Sequence, residues 1–323
     1  MCNPQTMRSA LPLFVLLLVG CASSPPVAPL QFTAFQSQGS NPAVMDASAE
    51  AISVLAVDGL NFLPSAGGLT ELDTSALELL DHAHDRGLRA ELMVGNFSGE
   101  LEDFDERLAH DTLSNLPARA AAVSDLADLV NDQGWDGISI DLESLAPRDA
   151  ELLTAFATEL RAALGAERSI SIALMVGGEG VDLPALVPVI DRFILMAYDE
   201  HGPWEDVPGP IGSLDWQRAG VEALLESVPA DKVELGVAGY GYGWGPSGDG
   251  QLSVARAEEL APEAEFDDDA GEWTATLADG TELWWSDIQS FRLRVALARE
   301  YGLGGVALWS LEQGDPVTRA DLR

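Results

Sequence analysis

The stretch WDGISIDLES, Trp135 to Ser144, alternates apolar and polar side chains, with Ile138, Ile140 and Leu142 on one face and Ser139, Asp141 and Glu143 on the other. A strand with so apolar a face belongs in the middle of a domain, yet its other face holds two carboxylates whose Cα atoms stand roughly 7 Å apart. Two ionised carboxylates pointing inward are costly unless paired or titrated. Repulsion and burial then raise one pKa, which keeps a carboxyl group protonated and able to act as a general acid. Solvation of both groups at a strand end is the other reading, and the spacing does not choose between them.

Apolar, strand-like runs alternate with amphipathic stretches on both sides of this segment. The pattern predicts strands at Leu30–Phe35, Ile52–Asp58, Arg89–Val94, Gly137–Leu142, Ser169–Met175, Arg192–Tyr198, Val233–Tyr240 and Gly304–Trp309. Helices are expected at Ser75–Arg86, Pro117–Gln133, Asp149–Leu164, Trp216–Ser227 and Ser286–Tyr301; in the third, Leu152, Leu153, Phe156, Leu160 and Leu164 fall at helical spacing. Repeated βα units with eight strands define an α/β fold, a (β/α)8 TIM barrel whose active site lies at the C-terminal strand ends. Residues 244–285, rich in Gly, Asp and Glu and containing ADGT between β-prone runs, read as a small inserted β-rich subdomain between strands seven and eight.

The 323 residues carry 53 acidic and 17 basic side chains, a net charge of −36, and Lys232 is the only lysine. Nucleic acid is excluded as a partner on these grounds, and self-repulsion of this size is relieved by salt, so a high-salt habitat is expected. At the N-terminus, Arg8 precedes the apolar run Leu11 to Val19 and then Gly20-Cys21, an export-signal pattern too short to span a bilayer as a mature helix. Leu18-Val19-Gly20-Cys21 resembles the bacterial lipoprotein box. That resemblance implies a signal peptide over residues 1–20, lipidation of Cys21 and a flexible tether over 21–29, ahead of the barrel over 30–323. It also implies a lipid-anchored cell-envelope location, at the outer membrane if the source has one, facing the periplasm or the exterior. An ordinary secretory signal with an incidental cysteine is the alternative.

DGISIDLE is similar to the Asp-Gly-x-x-x-Asp-x-Glu signature of glycoside hydrolase family 18, the chitinase family, which occurs on strand four of a (β/α)8 barrel. LMAYDEHG (Leu195–Gly202), LGVAGYGYGW (Leu235–Trp244) and GGVALWSLEQGDP (Gly304–Pro316) resemble the family's strands six, seven and eight, in the family's order. GNF at Gly95–Phe97, PGPIGSLDW at Pro208–Trp216 and the run from Trp284 to Gly305 resemble the spore-germination and cortex-lytic type, which acts on peptidoglycan. The resemblance implies that Glu143 is the acid, Asp141 the carboxylate that orients the N-acetyl group, and Tyr198 the holder of the acetamido oxygen. Asp199 is implied as its neighbour and Trp309 as the floor under the sugar, while Asp136, Ser139 and Met196 support the motifs, Asp136 structurally. It further implies a retaining, substrate-assisted hydrolysis of β-1,4 bonds at N-acetylglucosamine in peptidoglycan or chitin-like glycans, by a monomer without metal or cofactor. A catalytically silent, glycan-binding protein on the same barrel is the alternative reading. Many chitinases have aspartate at the place of Ser139; serine there implies an Asp141 that ionises more easily and is less firmly held.

Tyr240, Tyr242 and Trp244, with Trp309, are candidate sugar-stacking aromatics, and Trp204 and Trp216 weaker ones; core packing is the competing reading for each. GWGPSG (Gly243–Gly248) has the spacing of a dinucleotide loop, but Pro246, Gly248 and Gly250 preclude the helix it would have to open. His82 and His84 do not share one tight helix face with Asp81 and Asp85, which argues against zinc. FDDDAGE (Phe266–Glu272) lacks the full ligand series of a calcium loop and reads as a solvated turn.

Overall fold

The computed structural model describes Met1 and residues 30–64, 68–248 and 250–323. The expected signal, Cys21 and the tether lie outside the described residues. Eight parallel strands close into a barrel: β1 (Gln31–Ser37), β2 (Val54–Asn61), β3 (Arg89–Gly95), β4 (Gly137–Asp141), β5 (Ser169–Met175), β6 (Arg192–Met196), β7 (Val233–Ala238) and β8 (Gly305–Trp309). Closure is made by β1 against β8, with Gln31 opposite Gly305 and Ala34 opposite Leu308. All eight expected strands are present, most within one or two residues of their expected ends.

The strands alternate strictly between two environments. Outward-facing Leu55, Val57, Ile138, Ile140, Ile172 and Leu235 meet buried positions of the surrounding helices, such as Leu79, Leu126, Phe156 and Val221, in one large core. Inside, Phe35, Ala56, Met93, Ile194 and Ala307 form a compact apolar layer halfway up the barrel, so the interior is packed rather than open. Helices begin where a side chain can accept from the free backbone N–H groups of the first turn: Asp73 accepts from Ser75 N, Asp105 from Arg107 N and Leu108 N, and Asp287 from Ser290 N. The helix Leu116–Gln133 ends at Gly134, whose φ of 88° is a left-handed stop.

Strand seven is shorter than its sequence pattern. It ends at Ala238, because Gly239 is pressed against Leu308, Ser310 and Gly314 and donates its N–H to Trp309 O (2.7 Å), turning the chain. The residues from Tyr240 to Trp244 then form a strand of a separate five-stranded antiparallel sheet, together with Gly250–Ser253, Glu282–Trp285, Glu272–Thr276 and Glu265–Asp267. The inserted subdomain therefore contains both Tyr240 and Tyr242. FDDDAGE is the tight turn between the last two of these strands, with Asp267 Oδ1 accepting from Asp269 N and Ala270 N. A buried ion pair pins the insertion to the barrel. Glu272 accepts from Ile211 N (2.7 Å), Gly212 N (3.0 Å) and Ser286 Oγ (2.9 Å), and it faces Arg294 of the last helix at 3.2 Å. No described helix is long and apolar enough to cross a membrane.

Candidate active site

A cleft of about 320 Å³ opens at the C-terminal ends of the strands, lined by Asp58, Asn61, Met93, Gly95, Phe97, Phe104, Asp141, Glu143, Met196, Tyr198, Asp199 and Trp309. No lysine, arginine or histidine is among its lining residues. β4 delivers Asp141 as its last residue, facing inward and buried, with Oδ1 lacking any hydrogen-bond partner. Glu143 follows just past the strand. Its backbone is clamped by Asn96, a fully buried amide that accepts from Glu143 N (2.9 Å) and donates to Glu143 O (3.0 Å). The next residue, Ser144, takes a positive φ of 58°, a turn that non-glycine residues adopt only where their surroundings impose it.

Asp199 has the same unusual backbone, φ 63°, and its Oδ1 accepts from Tyr240 Oη (2.6 Å) and Tyr242 Oη (3.0 Å). Tyr198 packs edge-on against Tyr240, ring centres 6.2 Å apart, and Trp309 lies tilted against Phe35 at 5.3 Å, above the interior apolar layer. Thus Asp141, Glu143, Tyr198, Asp199, Trp309 and Met196 come together at one cleft. Tyr240 and Tyr242 stand behind them, buried as hydrogen-bond donors to Asp199 rather than as exposed stacking faces. Trp244 Nε1 donates to Gly202 O (3.2 Å), holding the loop after β6. Of the two weaker candidates, Trp204 is exposed and packs edge-on against Tyr242 at 5.6 Å, whereas Trp216 packs against the main core.

Asp136 lies at the opposite, N-terminal end of β4, accepting from Ala90 N (2.9 Å) and meeting His84 at 2.9 Å. Its place is structural. His82 turns to Asp46 instead, so the two histidines serve different carboxylates. Ser139 is fully buried inside the barrel beneath Asp141, its hydroxyl unpartnered.

Burial dominates the electrostatics. It pushes Glu143 up to about 9, helped by the charges of Asp141, Asp199 and Asp103, so the group is a protonated acid at neutral pH. Asp141 is pushed up to about 7, by burial first and then by Asp58, and Asp58 to about 6, by burial and then Glu312. Asp141 is therefore harder to ionise than a free carboxyl. Burial also raises Asp199, opposed by the two tyrosine hydroxyls.

Asp58, Asn96 and the pair Phe97 and Phe104 were not singled out as site residues from the sequence. The two phenylalanines form a short hairpin at the cleft edge, rings edge-on at 5.7 Å, and its turn holds Glu102 at φ 56°. Phe97 is 43% exposed, enough to offer a face to a ligand.

Glycosyl hydrolases family 18 matches residues 77–314, most of the chain, and the protein belongs to that family. It is 28% identical over 232 residues to the Bacillus subtilis protein named as sporulation-specific glycosylase YdhD, an alignment covering 65% of this chain and 55% of that one. Among solved structures, it resembles a chitinase from Chromobacterium violaceum, with TM-score 0.80 and 27% identity over 91% of this chain and 98% of that one. The Bacillus cereus spore cortex-lytic enzyme SleL shares the fold, with TM-score 0.80 and 20% identity over 91% of this chain and 73% of that one. The chain thus spans little more than half the length of the curated glycosylase it matches.

Proposed function

We propose that the protein is a retaining glycosidase that cuts β-1,4 bonds at N-acetylglucosamine, in peptidoglycan or a chitin-like glycan, with the substrate's own acetamido oxygen as nucleophile. The observation that carries this is the pairing of a protonated Glu143 with a more acidic, buried Asp141 in one cleft that has no cation in its lining. Glu143 gives its proton to the glycosidic oxygen as that bond breaks. The acetamido oxygen bonds to the anomeric carbon from the other face, and ionised Asp141 steadies the positive charge that spreads onto the acetamido nitrogen. Tyr198 holds the acetamido oxygen, and Trp309 supports the sugar ring from below. Water then opens the cyclic intermediate while Glu143 takes a proton back, so configuration is retained with no protein nucleophile.

Membrane tethering through lipidated Cys21 belongs to the same proposal. A protein held in the envelope meets peptidoglycan before chitin, which favours the former substrate. The test is mass spectrometry of products from the full chain and its Glu143→Gln variant, each incubated with purified peptidoglycan and, separately, with chitin oligomers. Fragments that depend on Glu143 are expected from peptidoglycan. Fragments from chitin alone would change the substrate, and binding without fragments would leave a glycan-binding protein.

A further inference from the structure

Asp58 lies on β2 two residues beyond Ala56, which belongs to the interior apolar layer, so its side chain shares that inward face. The ladder to β3 slips between Val57 and Leu60, bending the strand just where Asp58 lines the cleft beside Asp141. On its other side, Asp58 pairs in register with Ser37 of β1, whose N–H donates to Glu312 Oε1 (2.7 Å). Three carboxylates from three elements therefore stand in sequence: Glu312 after β8, Asp58 on β2 and Asp141 on β4. Neither β1 nor β3 brings a charged side chain to this end of the barrel, since Arg89 and Glu91 lie at the other end of β3. On the far side of Asp141 stand further acids and no base: Glu143, itself protonated at neutral pH, and the groups Asp199 and Asp103 that raise it.

Hydrogen bonding leaves the charge of Asp141 open, because its Oδ1 and the Ser139 hydroxyl are both unpartnered. Burial, the larger influence, disfavours its ionised form, and the charge of Asp58 adds to that. We propose that Asp58 is a positioning residue that presents its carboxylate to Asp141 across the inner face of the barrel, holds Asp141 protonated in the free protein, and so sets the pH at which the site becomes active. The inference rests on the hydrolase reading above. The order of ionisation agrees with it. Asp58, at about 6, loses its proton before Asp141, at about 7, and the negative charge it acquires opposes the second ionisation. The family signature on β4 does not reveal this control, because the controlling group comes from a different strand.

The test combines pH–rate profiles with carbon-13 titration of the Asp141 carboxyl in the full-length protein, Asp58→Asn and Asp58→Glu, the Asp141 signal being assigned by its loss in Asp141→Asn. In Asp58→Asn, both the acid-side limb and the Asp141 titration should move about one pH unit lower, the scale of a nearby like charge removed. Asp58→Glu, which restores the charge, should bring both back toward the wild-type position. If Asp58→Asn slows the reaction at every pH while the limb and the titration stay in place, the residue is merely structural and the inference is overturned. Should the unaltered protein release no fragment from any glycan, the hydrolase reading fails, and the carbon-13 titration still decides whether Asp58 controls Asp141.

Discussion

The two ends of the barrel bury acidic side chains in opposite ways. At the N-terminal end, Glu91 of β3 is fully buried, yet Arg192 of β6 grips it with two bonds of 2.8 Å and reaches Glu234 of β7 at 2.9 Å. Burial alone would raise Glu91, but the charge and hydrogen bonds of Arg192 and the hydroxyls of Ser169 and Ser171 outweigh it and hold its pKa below the usual carboxylate value. At the C-terminal end, Asp58, Asp141, Glu143 and Asp199 have no cation in the cleft lining, and all are raised. Between them lies the apolar layer of Phe35, Ala56, Met93, Ile194 and Ala307. One scaffold thus holds a cluster built round an arginine, in which Glu91 is lowered although burial still raises Glu234, and a cluster with no cation in its lining, in which every one of these acids is raised.

Removing that arginine should break the contrast most severely. Arg192→Met leaves Glu91 and Glu234 buried without a counter-charge and is expected to cost about 3–5 kcal/mol in chemical denaturation. At the other end, Glu143→Gln should fold normally and bind glycan while losing at least about a hundredfold in rate, as expected for a missing general acid; full activity would move the acid elsewhere. Tyr198→Phe should cost less, about tenfold in turnover, the scale of one hydrogen bond to a developing charge. Binding and turnover equal to wild type would remove its acetamido-holding role.

The same contrast extends to stability against pH. Asp58, Asp141 and Glu143 have folded pKa values raised above their unfolded ones, so the folded protein binds extra protons and stability is lost as pH climbs from about 4 toward 9. Glu91, lowered in the folded state, does the reverse: its contribution is present above its unfolded pKa and lost as pH falls. Glu143→Gln should therefore raise the melting temperature at pH 9 relative to wild type while leaving it nearly unchanged at pH 5. An equal shift at both values would mean that Glu143 is not held protonated.

The eight strands were legible because apolar runs in a barrel wall need neighbours on their outer face, and that demand is written in Ile138, Ile140, Ile172 and their counterparts. Asp141 and Glu143 were legible because polar residues at a strand's C-terminal end stand where barrels build sites. Asp58 was not. A lone aspartate before Gly59 reads as a solvated strand end, and only the curl of the barrel wall, with β3 between β2 and β4, brings it toward Asp141 across the interior. Asn96 was hidden for a similar reason, since nothing local says that an amide after β3 will grip the backbone after β4. The Glu91–Arg192–Glu234 cluster draws its three members from sequence positions more than 40 residues apart, and each alone resembles a surface charge in a strand.

The inserted sheet also bears on recombination. Its first strand carries Tyr240 and Tyr242, pairs Gly241 with Trp285, and is tied through Glu272 to Arg294 on the helix that follows. A chimera spliced at Trp244 and Trp285 would cut through that strand pairing, and would leave Arg294 facing whatever the donor supplied in place of Glu272. A transplant that preserves both Asp199 and the last helix has to run from Tyr240 to Arg294, so the heritable block is longer than the loop it decorates.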